Sequence, residues 1–99
     1  MPFDLSKSYS FTEQGISALN PDQQGVYGIT NSQSQFIYVG QAEDLRKRLL
    51  EHFNRLSKQS GCIWEYAPAL FYAHLVGANV DEVETEYINF YDPPCNRTN

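Results

Sequence analysis

No stretch of this 99-residue chain carries the roughly 18 consecutive apolar residues that a membrane-spanning helix needs, so no membrane span is expected. The opening MPFDLSKSYS lacks a basic segment followed by an apolar one, so no secretion signal is expected either. Cysteine is scarce. Cys62 and Cys95 stand far apart and neither belongs to a CxxC pair. Alone they cannot build a zinc site. The default reading is two inert thiols in a reducing cytosol, and the expected localisation is cytoplasmic. Basic residues are also few: 7 Lys and Arg against 12 Asp and Glu, a net charge of −5. That excess of acid argues against broad, non-specific coating of nucleic acid. Internal repeats, low-complexity tracts and a linker rich enough to split the chain are all missing.

What is present is enough for one small domain and too little for two. Hydrophobic residues make up 41% and aromatic residues 14%, which supports a packed core and argues against disorder. Seven of the aromatics are tyrosines. Tyrosine carries a polar tip, so some should sit at core edges or in a cleft. Charge is unevenly placed. Five of the seven basic residues fall between Arg46 and Lys58, whereas Asp81, Glu82, Glu84 and Glu86 gather near the end. This pattern describes either two solvated helix faces or a local anion site beside a metal-binding carboxylate.

Residues 1–10 show no clear period and read as a loose arm. FTEQGISALNP predicts a short helix starting at Ser10 or Thr12, with Ile16 and Leu19 on its apolar side and Pro21 as its stop. GVYGIT and QFIYVG read as strands joined by the polar connection NSQS. Strict alternation puts Tyr27 and Ile29 on one face of the first strand. In the second it pairs Phe36 with Tyr38, and Ile37 with Val39. The two tyrosines, Tyr27 and Tyr38, reach a common face if the register allows. Glu43–Lys58 is the strongest helix. Leu45, Leu49, Phe53 and Leu56 span about 80° of arc, with His52 and Arg48 along one border of that stripe. Gly61 is expected to close it. ALFYAHLV reads as a third strand.

A last helix is expected from Asp81 to about Tyr91, stopped by Pro93 and Pro94. Val83, Tyr87, Phe90, Tyr91 and Ile88 define its buried arc. Glu84 falls inside that arc, about 100° from Val83. An unpaired carboxylate there is costly to bury. One explanation is a capping box, with Asp81 as N-cap and Glu84 as its reciprocal partner. The other is a ligand role.

These residues, taken in order, resemble the GIY-YIG nuclease domain. That domain forms the N-terminal part of the bacterial excision-repair endonuclease subunit and occurs in homing and restriction endonucleases. GVY at 25–27 matches the first signature and YVG at 38–40 the second. LRKRLLEHF matches the helix that supplies the family's arginine, here Arg48, with His52 where the family has His or Tyr one turn later. ETEYINFYDPPCN matches the family's ending, E-x-x-x-I-x-x-Y-x-P-x-x-N, and places the metal-binding glutamate at Glu84 and the terminal asparagine at Asn96. The match covers about residues 21–97. Each signature is weak alone, and the ordered set is strong. One departure is Gln41, where many members carry lysine and therefore a positive charge.

The resemblance implies an α/β (α+β) domain: a small three-stranded antiparallel sheet flanked by helices. Residues 1–20 would be an arm and short helix, and 21–99 the nuclease-like domain. It implies metal-dependent hydrolysis of phosphodiester bonds, one strand at a time, with Mg²⁺ or Mn²⁺ held by Glu84. Arg48 would contact the phosphate, and Tyr27 would act as general base or orient the water. A nearby metal or arginine would lower the Tyr27 pKa towards neutrality. Tyr38 and His52 would position these groups, and Gln41 and Asn96 the substrate. Tyr27, Tyr38, Arg48 and Glu84 are expected to converge on one concave face. The partner implied is nucleic acid, DNA in preference to RNA, with targeting borrowed from a protein partner. The alternative is a catalytically weak or inactive module on the same fold that binds nucleic acid or protein. Read singly, Tyr27 and Tyr38 also fit half-buried strand aromatics, His52 a structural histidine, and Asn96 a loop or cap residue.

Overall fold

The computed structural model describes residues 3–97. The outer ends of the two expected segments, 1–2 and 98–99, lie outside the described residues. The elements follow in the order β1 (Tyr9–Ser10), α1 (Glu13–Ser17), β2 (Gly25–Thr30), β3 (Phe36–Ala42), α2 (Leu45–Phe53), α3 (Ser60–Glu65), β4 (Leu70–Leu75), α4 (Val80–Tyr91) and a 3-10 turn (Pro94–Asn96). The sheet is antiparallel and has four strands in the order β1-β4-β2-β3. The expected three are its centre. The fourth is the two-residue β1, which pairs Tyr9 with Phe71 and Ser10 with Leu70. A strand that short leaves no alternation to read.

Each sheet face has its own core. Tyr27, Ile29, Ile37 and Phe71 pack with Ile16 and Leu19 near α1, Leu45 and Leu49 of α2, and Ile63 of α3. On the other face Val26, Val39 and Tyr72 pack with Tyr87 of α4 and with Phe3. The arm expected to be loose is therefore docked. Phe3 is buried, meets the edge of the Tyr87 ring, and its backbone N–H donates to the Tyr91 hydroxyl at 2.8 Å.

The hairpin departs from strict alternation. Ile29 faces Tyr38 while Thr30 faces Phe36, so Ile37 is an extra residue in β3. Such a bulge re-aims the side chains on either side of it. Phe36 and Val39 consequently pack on the α4 face, and Ile37 and Tyr38 on the α2 face. This replaces the expected pairing of Phe36 with Tyr38, and it is what puts Tyr38 beside Tyr27, with ring centroids 6.1 Å apart.

Helix α2 begins at the N-cap Asp44, whose carboxylate accepts from the Lys47 N–H at 3.1 Å. It ends at Phe53, five residues before the expected Lys58. Arg55 adopts a left-handed backbone, φ 62°, and turns the chain away. Leu56 therefore never joins the stripe and is exposed. Gly61 closes nothing; it sits inside α3, an element the sequence reading lacked. On α4 the buried arc is narrower than expected, because Phe90 is exposed. The cysteines are not free thiols. Cys62 of α3 and Cys95 of the 3-10 turn form a disulfide, with Cα atoms 5.8 Å apart. Among the described residues no helix is long and apolar enough to cross a membrane.

Candidate active site

Strand β3 is the open edge of the sheet, and the candidate residues gather along it. Tyr38, Gly40 and Ala42 point towards α2, and Val39 and Gln41 towards α4. Gly40 is required by its neighbours. A Cβ there would lie 2.5 Å from the Tyr27 hydroxyl and 2.9 Å from the Tyr38 ring. Its absence lets the Tyr27 side chain cross under β3 to α2.

Tyr27 is buried, and its hydroxyl lies 2.6 Å from His52 Nε2. His52 is also fully buried, not on the border of the stripe. Its Nδ1 lies 2.6 Å from Ser57 Oγ, which lies 2.6 Å from Ser60 Oγ. Burial first and the Arg48 charge second push the His52 pKa down to about 4, so the ring is neutral at pH 7. Burial also raises the Tyr27 phenol well above its usual value; Tyr38, Glu84 and Glu51 add to this and Arg48 opposes it. The expected lowering of Tyr27 by arginine thus exists and is outweighed. Tyr38 is half-buried and likewise raised, by burial and then Glu84, against Arg48 and the neighbouring Tyr27 side chain.

Arg48 is exposed, and its Nε lies 3.2 Å from Glu51. An open cleft of about 430 Å³ at the end of β3 is lined by Gln41, Asp44, Lys47, Arg48 and Glu51 among others.

Glu84 stands on α4, on the opposite sheet face from α2. Arg48 and Glu84 are therefore carried by helices that pack on opposite sheet faces. The two helices flank the edge strand, and both charges act on Tyr38 and Tyr27 around it. The expected capping box is incorrect. The N-cap is Asn79, in a left-handed backbone (φ 58°), with no side-chain capping bond. Asp81 is in the first turn. What holds the two carboxylates is Gln41: its Nε2 donates to Asp81 Oδ1 at 2.5 Å and to Glu84 Oε1 at 3.0 Å. An uncharged amide thus spans both acids. Asn96 lies against β3, where its amide holds both polar groups of Val39.

Among the described residues no three His, Cys, Asp or Glu side chains group into a metal site. The oxygen donors at hand are Glu84 and Asp81. A sparse, hard-oxygen set of this kind suits Mg²⁺, which keeps several waters and takes phosphate oxygens from a substrate.

Asp81, Ser57, Ser60 and Gly40 were not singled out in the sequence for this site. Asp81 stands three residues before Glu84, a spacing that also fits a cap. Ser57 lies beyond the end of α2, where helical periodicity carries no information.

Residues 23–71 match the model of the UvrC-like GIY-YIG domain. The UvrABC system protein C of Aliivibrio fischeri is 38% identical over 95 residues, covering 88% of this chain and 15% of that protein. The chain thus spans about one-seventh of the length of that curated relative. Among solved structures, the GIY-YIG N-terminal endonuclease domain of UvrC from Thermotoga maritima, bound to its catalytic divalent cation, magnesium, superposes with a TM-score of 0.66. Identity is 27%, with 86% of this chain and 96% of that one covered. A point mutant of the same domain, also bound to its catalytic divalent cation, gives a TM-score of 0.65 at 26% identity over 84% of this chain and 92% of that one. On these matches the chain belongs to the GIY-YIG family of nuclease domains, in its UvrC-like branch.

Proposed function

We propose that this domain is a metal-dependent endonuclease that hydrolyses DNA phosphodiester bonds one strand at a time. The observation that carries this reading is that the edge strand brings Tyr38, packed beside Tyr27 and His52, next to Gln41, whose amide holds Glu84. Hydrolysis of a phosphodiester requires a positioned water, a base, and neutralisation of the charge that builds on phosphate. Arg48, exposed beside the cleft, offers a planar fork that matches two phosphate oxygens. Tyr38, half-buried at the edge, orients the water or the phosphate. Tyr27 takes the water's proton as its own passes to the neutral His52 at Nε2, 2.6 Å from its hydroxyl. Glu84, with Asp81 at its side, would hold Mg²⁺ or Mn²⁺. The cation would neutralise phosphate charge and polarise the bond to be cut. Gln41 keeps the two carboxylates together and supplies no charge of its own. Asn96 fixes the edge strand and acts on the substrate only through that strand. The net charge of −5 supports targeting by a protein partner, of the kind implied by the relative's membership of the UvrABC system.

Nicking of supercoiled plasmid by the purified chain, with and without Mg²⁺, tests the reading. The expected result is metal-dependent conversion to open circles, lost by about 100-fold or more in Arg48→Ala while the melting curve holds. No nicking from a folded parent would favour the binding module, which the uncharged Gln41 across both carboxylates also supports.

A further inference from the structure

The chain that leaves α4 changes sheet face. Tyr91, at the end of α4, packs with the core on the α4 face. Asp92 ends the helix in a left-handed backbone, φ 46°. Cys95 then packs against the core on the other face, the one that α2 and α3 cover. To reach it the segment passes the open edge of β3, and Asn96 marks the passage: its amide takes both outward polar groups of Val39. Residues 92–96 thus form a strap across the edge strand.

The strap has few fastenings. Among the described residues, the hydrogen bonds of residues 93–97 either stay within residues 92–97 or are the two between Asn96 and Val39. Pro93 is buried and anchors the near end by packing. The far end has one covalent tie, from Cys95 to Cys62 of α3. Such a tether works by effective concentration: with Cys95 fixed, an Asn96 amide that leaves Val39 stays beside it and rebinds. Without the tether, the two hydrogen bonds exchange for bonds to water at little net cost. Both cysteines are partly exposed, so a soluble thiol can reach the sulfurs. Val39 lies between the residues that matter on β3. Tyr38 packs beside Tyr27 and His52, and Gln41 holds Asp81 and Glu84. Slack at Val39 is therefore slack in the candidate site.

We propose that the Cys62–Cys95 disulfide makes the segment after α4 a redox-sensitive strap. Closed, it keeps Asn96 on Val39 and the edge strand in place; opened by a dithiol, it releases both and lowers the activity. The effect on activity rests on the endonuclease reading above. In the opening step the Cys62–Cys95 bond takes two electrons and breaks. The dithiol loses two electrons and two protons and closes to a disulfide, and the protons end on the Cys62 and Cys95 sulfurs.

The test compares the full chain oxidised and reduced with dithiothreitol. Amide hydrogen exchange, followed in ¹H–¹⁵N spectra without metal or substrate, reads the strap independently of activity. Val26 is buried in the central strand β2 and reports opening of the whole fold. On reduction, exchange at Val39 should accelerate about 10-fold more than at Val26. Mg²⁺-dependent nicking of supercoiled plasmid should fall about 10-fold in kcat, as for a small misplacement of reacting groups, and return after treatment with oxidised glutathione. Cys62→Ser leaves the strap's own residues untouched and should behave as the reduced parent with or without reductant. Equal acceleration at Val39 and Val26 overturns the strap, because loss of the cross-link then loosens only the fold as a whole. Nicking unchanged by reduction overturns the control of activity. Two free thiols titrated in the parent after oxidised glutathione overturn the proposal without any variant. A parent that never nicks while Val39 accelerates selectively defeats the endonuclease reading and leaves the strap standing.

Discussion

Asn96 holds both backbone polar groups of Val39: its Oδ1 accepts from the Val39 N–H at 2.7 Å, and its Nδ2 donates to the Val39 carbonyl at 2.8 Å. Val39 lies on the edge strand, where alternate residues turn their N–H and C=O away from the sheet. One side-chain amide therefore stands in for a neighbouring strand and blocks that part of the edge. The residue before it, Cys95, is tied to Cys62 of α3. The disulfide thus secures the turn that secures the strand carrying Tyr38 and Gln41.

Reduction, or a Cys95→Ser substitution, should cost about 3–4 kcal/mol by the chain-entropy account for a loop of 33 residues. Urea melts with and without a thiol reductant measure this. Unchanged midpoints would show that the cross-link does not stabilise the domain.

The close approach at Gly40 predicts a sharp local effect. In Gly40→Ala the new methyl group meets the Tyr27 hydroxyl at 2.5 Å and its Cζ at 2.7 Å. Tyr27 is buried and has little room to yield, so a loss of about 1–3 kcal/mol is expected, as for other overpacked cores. The Tyr27–His52 bond should break with it. Gly61→Ala is the control, because nothing lies within 4 Å of a Cβ there. Its helical position makes it neutral or mildly stabilising. Equal melting temperatures for the two variants would contradict the packing argument.

His52 predicts a pH dependence of stability. The unfolded chain binds a proton at this side chain near pH 6.5, and the folded chain only near 4. Between those values the unfolded state holds more protons, so stability falls as pH drops through the window. The contribution is fully present above about pH 6.5. The loss amounts to about 3 kcal/mol at most, from 1.36 kcal/mol per unit. Urea midpoints at pH 7 and 4.5 should fall more in the parent than in His52→Gln. Equal falls would place the acid sensitivity elsewhere.

Much of this was legible from sequence, for reasons that differ by element. Leu45 and Leu49 lie where helical periodicity puts them, since a stripe of leucines has few other ways to be buried. Leu56 fails the same rule because Arg55 takes a left-handed turn without the glycine that normally announces one. The side-chain faces of β3 were misread because the bulge at Ile37 adds one residue to a period of two, and nothing in QFIYVG marks it. Asp81 and Glu84 have capping-box spacing, yet Asn79 starts the helix two residues earlier and leaves both to Gln41. Arg48 and Glu84 were placed by the ordered signatures. Their approach from opposite faces depends on β3 being an edge strand, which follows from strand order and not from any local pattern.

Glu84 carries the central claim, and Glu84→Gln isolates it. The new amide oxygen can still accept from Gln41, and no capping role is lost, so stability should change by about 1 kcal/mol or less. The charge that would hold a divalent cation is removed. Mg²⁺-dependent nicking of supercoiled plasmid, measured on parent and variant samples whose melting curves agree, is the decisive measurement. The account predicts a fall of about 100-fold or more. A folded Glu84→Gln protein that nicks as fast as the parent would contradict it.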